Sequence, residues 1–163
     1  GWIDPDTKEE HRTIKSLQQE RNRKQQHHHK EIENEFTIVF SDEFNTDHRY
    51  FHDGYDPKWT ALHKDDYTNY ALQYYNSSLI TTKNGYLSIQ TINEDITYDV
   101  YDVKHIPYHY KNTKNYQSGM IQGWNKFCFT SGIVEISAKL PGHAHIGGLW
   151  PAMWLLGNLA RAT

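Results

Sequence analysis

From Phe36 onward apolar and polar residues alternate with a period of two, and Gly, Pro, Asn and Asp interrupt the alternation at short intervals. Side chains on a strand point to opposite faces in turn and turn residues supply the reversals, so this pattern predicts an all-β domain. Phe36–Phe44 reads as the first strand. Leu79–Thr82 and Tyr86–Thr91 read as a hairpin around Asn84-Gly85, a dipeptide suited to the positive φ angles of a tight turn, with Leu87 and Ile89 sharing a face. Ile133–Leu140 alternates cleanly, with Val134, Ile136, Ala138 and Leu140 on one side and Glu135, Ser137 and Lys139 on the other, as a strand with one wet face should. Pro141-Gly142 ends it. After a Gly-rich loop, Leu149–Leu156 is apolar throughout, which suits a strand buried on both faces or one whose outward face is an aromatic binding surface. No substantial helix is predicted after residue 35, and no repeat period is visible.

Residues 1–35 follow a different rule. They hold fifteen of the thirty-seven charged residues and only five hydrophobic ones, Trp2, Ile3, Ile14, Leu17 and Ile32, too few to build a core. Between Leu17 and Lys30 the Gln, Glu, Arg and Lys content favours helix, yet no apolar stripe recurs at three- and four-residue spacing, which predicts a solvated helix or a disordered linker. The chain therefore divides into a polar linker, residues 1–35, and a β domain, residues 36–163. The triple His27-His28-His29 reads as part of that polar tract, because neighbouring residues on a helix diverge and no Cys or acidic cluster completes a metal site.

The length of 163 residues suits one domain, and a net charge of −3 removes the electrostatic footprint needed to clamp a nucleic acid. No run approaches the roughly 18 apolar residues of a membrane span. The single cysteine, Cys128, excludes an internal disulfide framework and a thiolate-rich zinc site. Between Phe127 and Phe129 it reads as a small buried core residue, a partner cysteine beyond the chain's end being the competing reading. Asn76-Ser77-Ser78 fits the N-glycosylation acceptor pattern and nudges toward a secretory route.

Aromatic residues are grouped: Tyr67, Tyr70, Tyr74 and Tyr75; Tyr98, Tyr101, Tyr108, Tyr110 and Tyr116; and Trp124, Trp150 and Trp154. A pyranose presents C–H groups on its face and hydroxyls at its rim, so it stacks on such rings while polar side chains satisfy the edge. Aromatics are also favoured strand residues, and composition alone favours core packing. Trp150 and Trp154 are four apart, so a strand would project both from one face, about 13 Å apart, with the small Ala152 between and Leu156 continuing the face. No Glu-x-Asp, Gly-x-Ser-x-Gly, His-Glu-x-x-His or phosphate-cradling loop is present. Asp42-Glu43, Asp53, Asp56 and Glu135 have plain structural readings, and His143 and His145 sit in a Gly-rich loop without a third ligand, so no metal site is expected.

Several phrases, read in order, resemble glycoside hydrolase family 16, and within it the branch of β-1,6-glucan synthesis-associated proteins of fungal cell-wall assembly. They are Gly1–Thr7, Val39–Asn45, Asp56–Ala61, Ile80–Leu87, Tyr116–Thr130 and, most specifically, Gly148–Thr163, with residues 8–35 outside the likeness. The resemblance implies a concanavalin-like jelly-roll β-sandwich, present here in part, whose concave face holds a β-glucan chain. Hydrolytic members are retaining enzymes with a Glu-x-Asp-x-Glu or Glu-x-Asp-x-x-Glu strand, which the resemblance places beyond Thr163. That chemistry needs two carboxyls roughly 5–5.5 Å apart across the sugar, and no catalytic residue is assigned within this chain.

Where many members have Asn-Asn-Glu-Leu-Gln-Tyr-Tyr, this chain has Asn69-Tyr70-Ala71-Leu72-Gln73-Tyr74-Tyr75, and Asn69 is the residue the resemblance still assigns to sugar hydroxyls. Asn69, Tyr74, Trp124, Trp150 and Trp154 are thus the candidate substrate-binding residues. The expected function is part of a β-glucan-active glycosidase or transglycosylase in cell-wall or storage β-glucan (β-1,6/β-1,3) biosynthesis, with a non-catalytic glucan-binding or scaffold module as the alternative. The expected partner is β-glucan, with no cofactor and no nucleic acid. The resemblance implies an internal piece of a longer secretory-pathway or plasma-membrane protein, on the lumenal or extracellular face, held by an anchor outside this chain. Sandwiches of this kind often use about 200–250 residues, so part of one should leave strand edges unpaired and apolar faces uncovered.

Overall fold

The computed structural model describes residues 2–19, 31–102, 104 and 108–157. Its strands are short: β1 (Thr13–Gln19), β2 (Glu31–Thr37), β3 (Thr60–Ala61), β4 (Lys64–Asp65), β5 (Gln73–Tyr75), β6 (Ile80–Lys83), β7 (Tyr86–Ile89), β8 (Ile96–Tyr101), β9 (His109–Lys114), β10 (Tyr116–Ser118) and β11 (Ile121–Gln122). Among the described residues helical geometry is confined to three-residue 3-10 turns, such as Ser77–Leu79. The strands form five small sheets: three hairpins (β1-β2, β6-β7 and β8-β9), the antiparallel pair β11-β3, and the three-stranded β10-β5-β4 in which β10 runs parallel to β5. The mostly-β expectation holds, and the described residues form no closed sandwich.

The hairpin read from Asn84-Gly85 forms as its sequence requires. Ile80 pairs with Ile89 and Lys83 with Tyr86, and both turn residues take positive φ, 53° at Asn84 and 77° at Gly85. Other segments depart from their local pattern. Leu17–Gln19 is extended, not helical, because β1 pairs along its length with β2, and cross-strand pairing overrides the weak helical bias of Gln and Leu. Residues 20–30, with the three histidines, lie outside the described residues. The strand read at Phe36–Phe44 ends at Thr37. Beyond it Asp42 Oδ1 accepts the N–H of Phe44 at 3.1 Å and Phe44 turns to φ 54°, so a side chain takes the place of a ladder partner.

Ile133–Leu140 and Leu149–Leu156 are not strands, and every residue in them is exposed. Alternation aims side chains but supplies no partner for the backbone, and none of the described residues pairs with these segments. Cys128 is exposed as well, which corrects its reading as a buried core residue; Phe127 beside it turns instead toward Phe40, with ring centroids 4.9 Å apart.

The apolar core is small: Phe51, 2% exposed, with Ala61 and Ile80, against which Trp59, Leu87 and Ile121 pack. Gly119 lies so close to it that a Cβ there would sit 2.5 Å from Ile80 Cγ1 and 2.9 Å from Ile89 Cγ2. A charged hub flanks this core. Arg49 donates from Nη1 to Asp42 Oδ1 at 2.7 Å and from Nη2 to Asp56 Oδ2 at 2.7 Å, while Trp59 Nε1 donates to Asp42 Oδ2 at 2.8 Å. Thr82, with no exposed surface, donates to the Thr46 carbonyl and accepts from the Arg49 N–H, which ties the 46–49 loop to β6. The opening segment belongs to the same assembly: Asp4 Oδ2 accepts the Glu43 N–H at 3.0 Å, and Thr7 Oγ1 donates to Glu43 Oε1 at 2.7 Å.

Candidate functional site

Pairing of β3 with β11 sets Gln122 opposite Thr60, and the turn that follows β11 carries Trp124, Asn125 and Lys126. Asn125 takes φ 59° within this turn. Together with His52, Asp53, His63 and Lys64 these residues line an open groove of about 510 Å³ floored by the buried Ala61. The lining suits a polyhydroxylated ligand: the Trp124 indole, 40% exposed, offers an apolar face, and imidazole, amide, carboxylate and ammonium groups share the groove with it. Gln122 Oε1 is buried and has no hydrogen-bond partner among the described residues. Of the charged residues in the lining, Lys64, Lys126 and Asp53, Lys126 has its Nζ bonded to the Asp56 carbonyl.

Two imidazoles shape one wall. Ser77, buried, holds its Oγ 3.0 Å from His52 Nε2 and 3.2 Å from His63 Nδ1. Tyr50 stacks on His52 at 4.2 Å between ring centroids, and Tyr74 meets the His63 ring edge-on at 5.5 Å. Tyr74 is 7% exposed, and burial first, then the nearby Asp65 carboxylate, push its phenol up from the ordinary value. Tyr98, 4.9 Å from Tyr74, is pushed up to about 12 by burial and by its hydrogen bond to Asp65. Both phenols therefore stay protonated and serve as rigid supports behind the wall.

The structure separates the five residues singled out from the sequence. Trp124 lines the groove, and Tyr74 stands behind His63 as part of its support. Asn69 is exposed at φ 51° in the turn before β5, outside the groove lining. Trp150 and Trp154 are 93% and 73% exposed on the strandless segment, also outside the lining. The sequence reading did not single out His52, His63 or Gln122. Gln122 alone carried a signal, lying two residues before Trp124 in the chain. The side chain of Asn76 is committed to structure: Nδ2 donates to Gln117 Oε1 at 2.8 Å and Oδ1 accepts the Ser78 N–H at 3.0 Å.

Two of the carboxylates that offered plain readings, Asp42 and Asp56, are saturated. Asp56 Oδ1 accepts the N–H groups of Lys58 and Trp59, both at 2.9 Å, while its Oδ2 and both oxygens of Asp42 serve Arg49. Burial works against the Arg49 charge, but the bonds to Asp42 and Asp56 outweigh it and hold the guanidinium above its ordinary range. Groups so fully bonded are structural, not acid–base catalysts. His143 and His145 lie on the exposed loop, and among the described residues no cluster of three or more His, Cys, Asp or Glu forms.

Comparison with known proteins agrees with the likeness read from the chain. A beta-glucan synthesis-associated protein SKN1 of Saccharomyces cerevisiae is 42% identical over 126 residues, which is 76% of this chain and 14% of that protein. The KRE6 protein of the same yeast is 42% identical over 126 residues, 76% of this chain and 15% of its own length. A SKN1 protein of Candida albicans is 38% identical over 161 residues, 98% of this chain and 18% of that protein. The chain thus spans between a seventh and a fifth of the length of these curated relatives. No solved structure matches it. The profile of the beta-glucan synthesis-associated proteins SKN1/KRE6/Sbg1 matches residues 2–163, and the chain belongs to that family, a branch related to glycoside hydrolase family 16.

Proposed function

We propose that this chain is part of a protein that acts on β-glucan during its synthesis for the cell wall, as a glycosidase or transglycosylase, and that the groove beside Trp124 holds a run of the glucan. Family membership over residues 2–163 is the observation that carries the reading. The groove adds a location: an exposed indole stacks on a glucose face, and His52, His63 and Gln122 satisfy the ring hydroxyls. Within these residues the contribution is binding, since the hub carboxylates are saturated and no Glu-x-Asp pattern occurs in the sequence. That favours a glucan-holding role for this region, whether the whole protein cuts glucan or only carries it.

The finer fold reading belongs here too. Ile133–Leu140 and Leu149–Leu156 are strands of a jelly-roll sandwich when neighbouring strands pair with them, and Trp150 and Trp154 then become a second aromatic platform, with Asn69 at a hydroxyl. The setting is the lumenal or extracellular face of the secretory pathway or plasma membrane. Calorimetry with laminarihexaose tests the groove: Trp124→Ala should weaken binding about fivefold, the scale of one lost stacking contact of about 1 kcal/mol. Unchanged affinity would remove Trp124 from the site.

A further inference from the structure

Proton bookkeeping at Ser77 fixes what the two imidazoles of the groove offer a ligand. The Ser77 backbone N–H points at His63 Nδ1 at 3.4 Å, and the Ser77 hydroxyl lies 3.2 Å from the same atom. An N–H only donates, so His63 Nδ1 carries a lone pair and the ring proton sits on Nε2. Giving the one hydroxyl proton of Ser77 to His63 Nδ1 and letting Ser77 Oγ accept from His52 Nε2–H at 3.0 Å is the arrangement in which both short contacts are hydrogen bonds. The reverse arrangement, with a proton on His63 Nδ1, would set that N–H against the Ser77 N–H. Both rings are thereby held as Nε2–H tautomers. His63 keeps a spare donor, Nε2–H, and His52 a spare acceptor, Nδ1, and neither atom has another hydrogen-bond partner among the described residues.

We propose that His63 and His52 are a matched donor–acceptor pair, locked by Ser77, that reads adjacent hydroxyls on a sugar ring seated against Trp124. This rests on the groove being the glucan site. Neighbouring hydroxyls of a sugar each give and take a hydrogen bond, so one donor beside one acceptor selects such a pair over an anion, which would need two donors, or a cation, which would need two acceptors. The rings themselves are braced: Tyr50 stacks on His52, and Tyr74 meets His63 edge-on.

The test uses the whole chain labelled with ¹⁵N-histidine and laminaritriose as the probe. Imidazole ¹⁵N shifts should show both rings as fixed Nε2–H tautomers, and calorimetry should show laminaritriose bound. Ser77→Ala should release the His52 tautomer, while the N–H of residue 77 still holds His63, and weaken binding about fivefold. His63→Gln, which keeps an N–H near the Nε2 position, should bind within about threefold of the unaltered chain, whereas His63→Leu should weaken binding about tenfold. A proton on His63 Nδ1, or either ring averaging between tautomers in the unaltered chain, would overturn the lock. Fixed tautomers with binding unchanged in both Ser77→Ala and His63→Leu would overturn the recognition role. Fixed tautomers with no laminaritriose binding would count against the groove as the glucan site, because the lock is read from the protein alone.

Discussion

The hub between residues 41 and 59 and the segment between residues 133 and 156 invert what their sequences suggest. The hub is rich in charge, yet Asp42, Arg49, Asp56 and Lys58 are drawn inward around Phe51 and Trp59, where each charge meets a partner. The later segment has the cleanest apolar alternation in the chain, yet it is exposed throughout and pairs with none of the described strands. Burial follows the availability of partners more closely than it follows hydrophobicity. A buried ion pair is tolerable when every lone pair and proton is used, whereas an apolar strand face without a neighbour has nothing to pack on. The same contrast separates the aromatic residues, since Trp124 sits among the polar groups that line the groove and Trp150 is 93% exposed.

Substitutions can break this contrast in graded steps. Arg49→Ala has the largest expected effect, because it leaves the Asp42 and Asp56 carboxylates buried without their cation; a loss of about 3–5 kcal/mol is expected in urea unfolding followed by tryptophan fluorescence. A loss below about 1 kcal/mol would mean that the hub is not what holds the core. Gly119→Ala comes next, at about 1–3 kcal/mol, since the new methyl would crowd Ile80 and Ile89. A melting temperature equal to that of the unaltered chain would show that β10 is free to shift away from β6 and β7.

Asp4 sharpens the contrast through pH. Burial raises its pKa, but hydrogen bonds from the N–H groups of Glu43 and Asp6 and the nearby Lys58 charge outweigh it, so the folded value lies below the ordinary 3.8. A lowered carboxylate pKa contributes stability above the ordinary value, and that contribution fades as the pH falls through the folded one. Asp4→Asn should therefore cost about 1 kcal/mol at pH 7 and flatten the loss of stability in acid; an acid limb identical to that of the unaltered chain would contradict the contact with Glu43. Ile136→Ser is the smallest step, expected within about 0.5 kcal/mol of no change because the side chain is exposed. A larger loss would reveal packing on that segment.

How much of this was legible in the sequence depends on the distance between partners. The β6-β7 hairpin was readable because its turn and both strands lie within ten residues and Asn84-Gly85 dictates the reversal. The pairing of β5 with β10, Tyr74 opposite Gln117, joins residues more than forty positions apart, and no local period encodes it. The β1-β2 pairing was hidden for a second reason: its residues are polar and good helix formers, so composition pointed away from strands. At the site, Trp124 was legible as an aromatic ring, but His52, His63 and Ser77 are ordinary residues in sequence that become a unit only when three loops converge.

Hydrogen exchange read by mass spectrometry, with and without laminarihexaose, tests the central contrast most directly. Slow exchange is expected in β6 and β7, fast exchange across residues 133–157, and slowing by the oligosaccharide confined to residues 52–64 and 121–126. Protection of residues 133–157 equal to that of the hairpin, or ligand protection at residues 149–156 in place of the groove, would contradict both the packing and the site described for this chain.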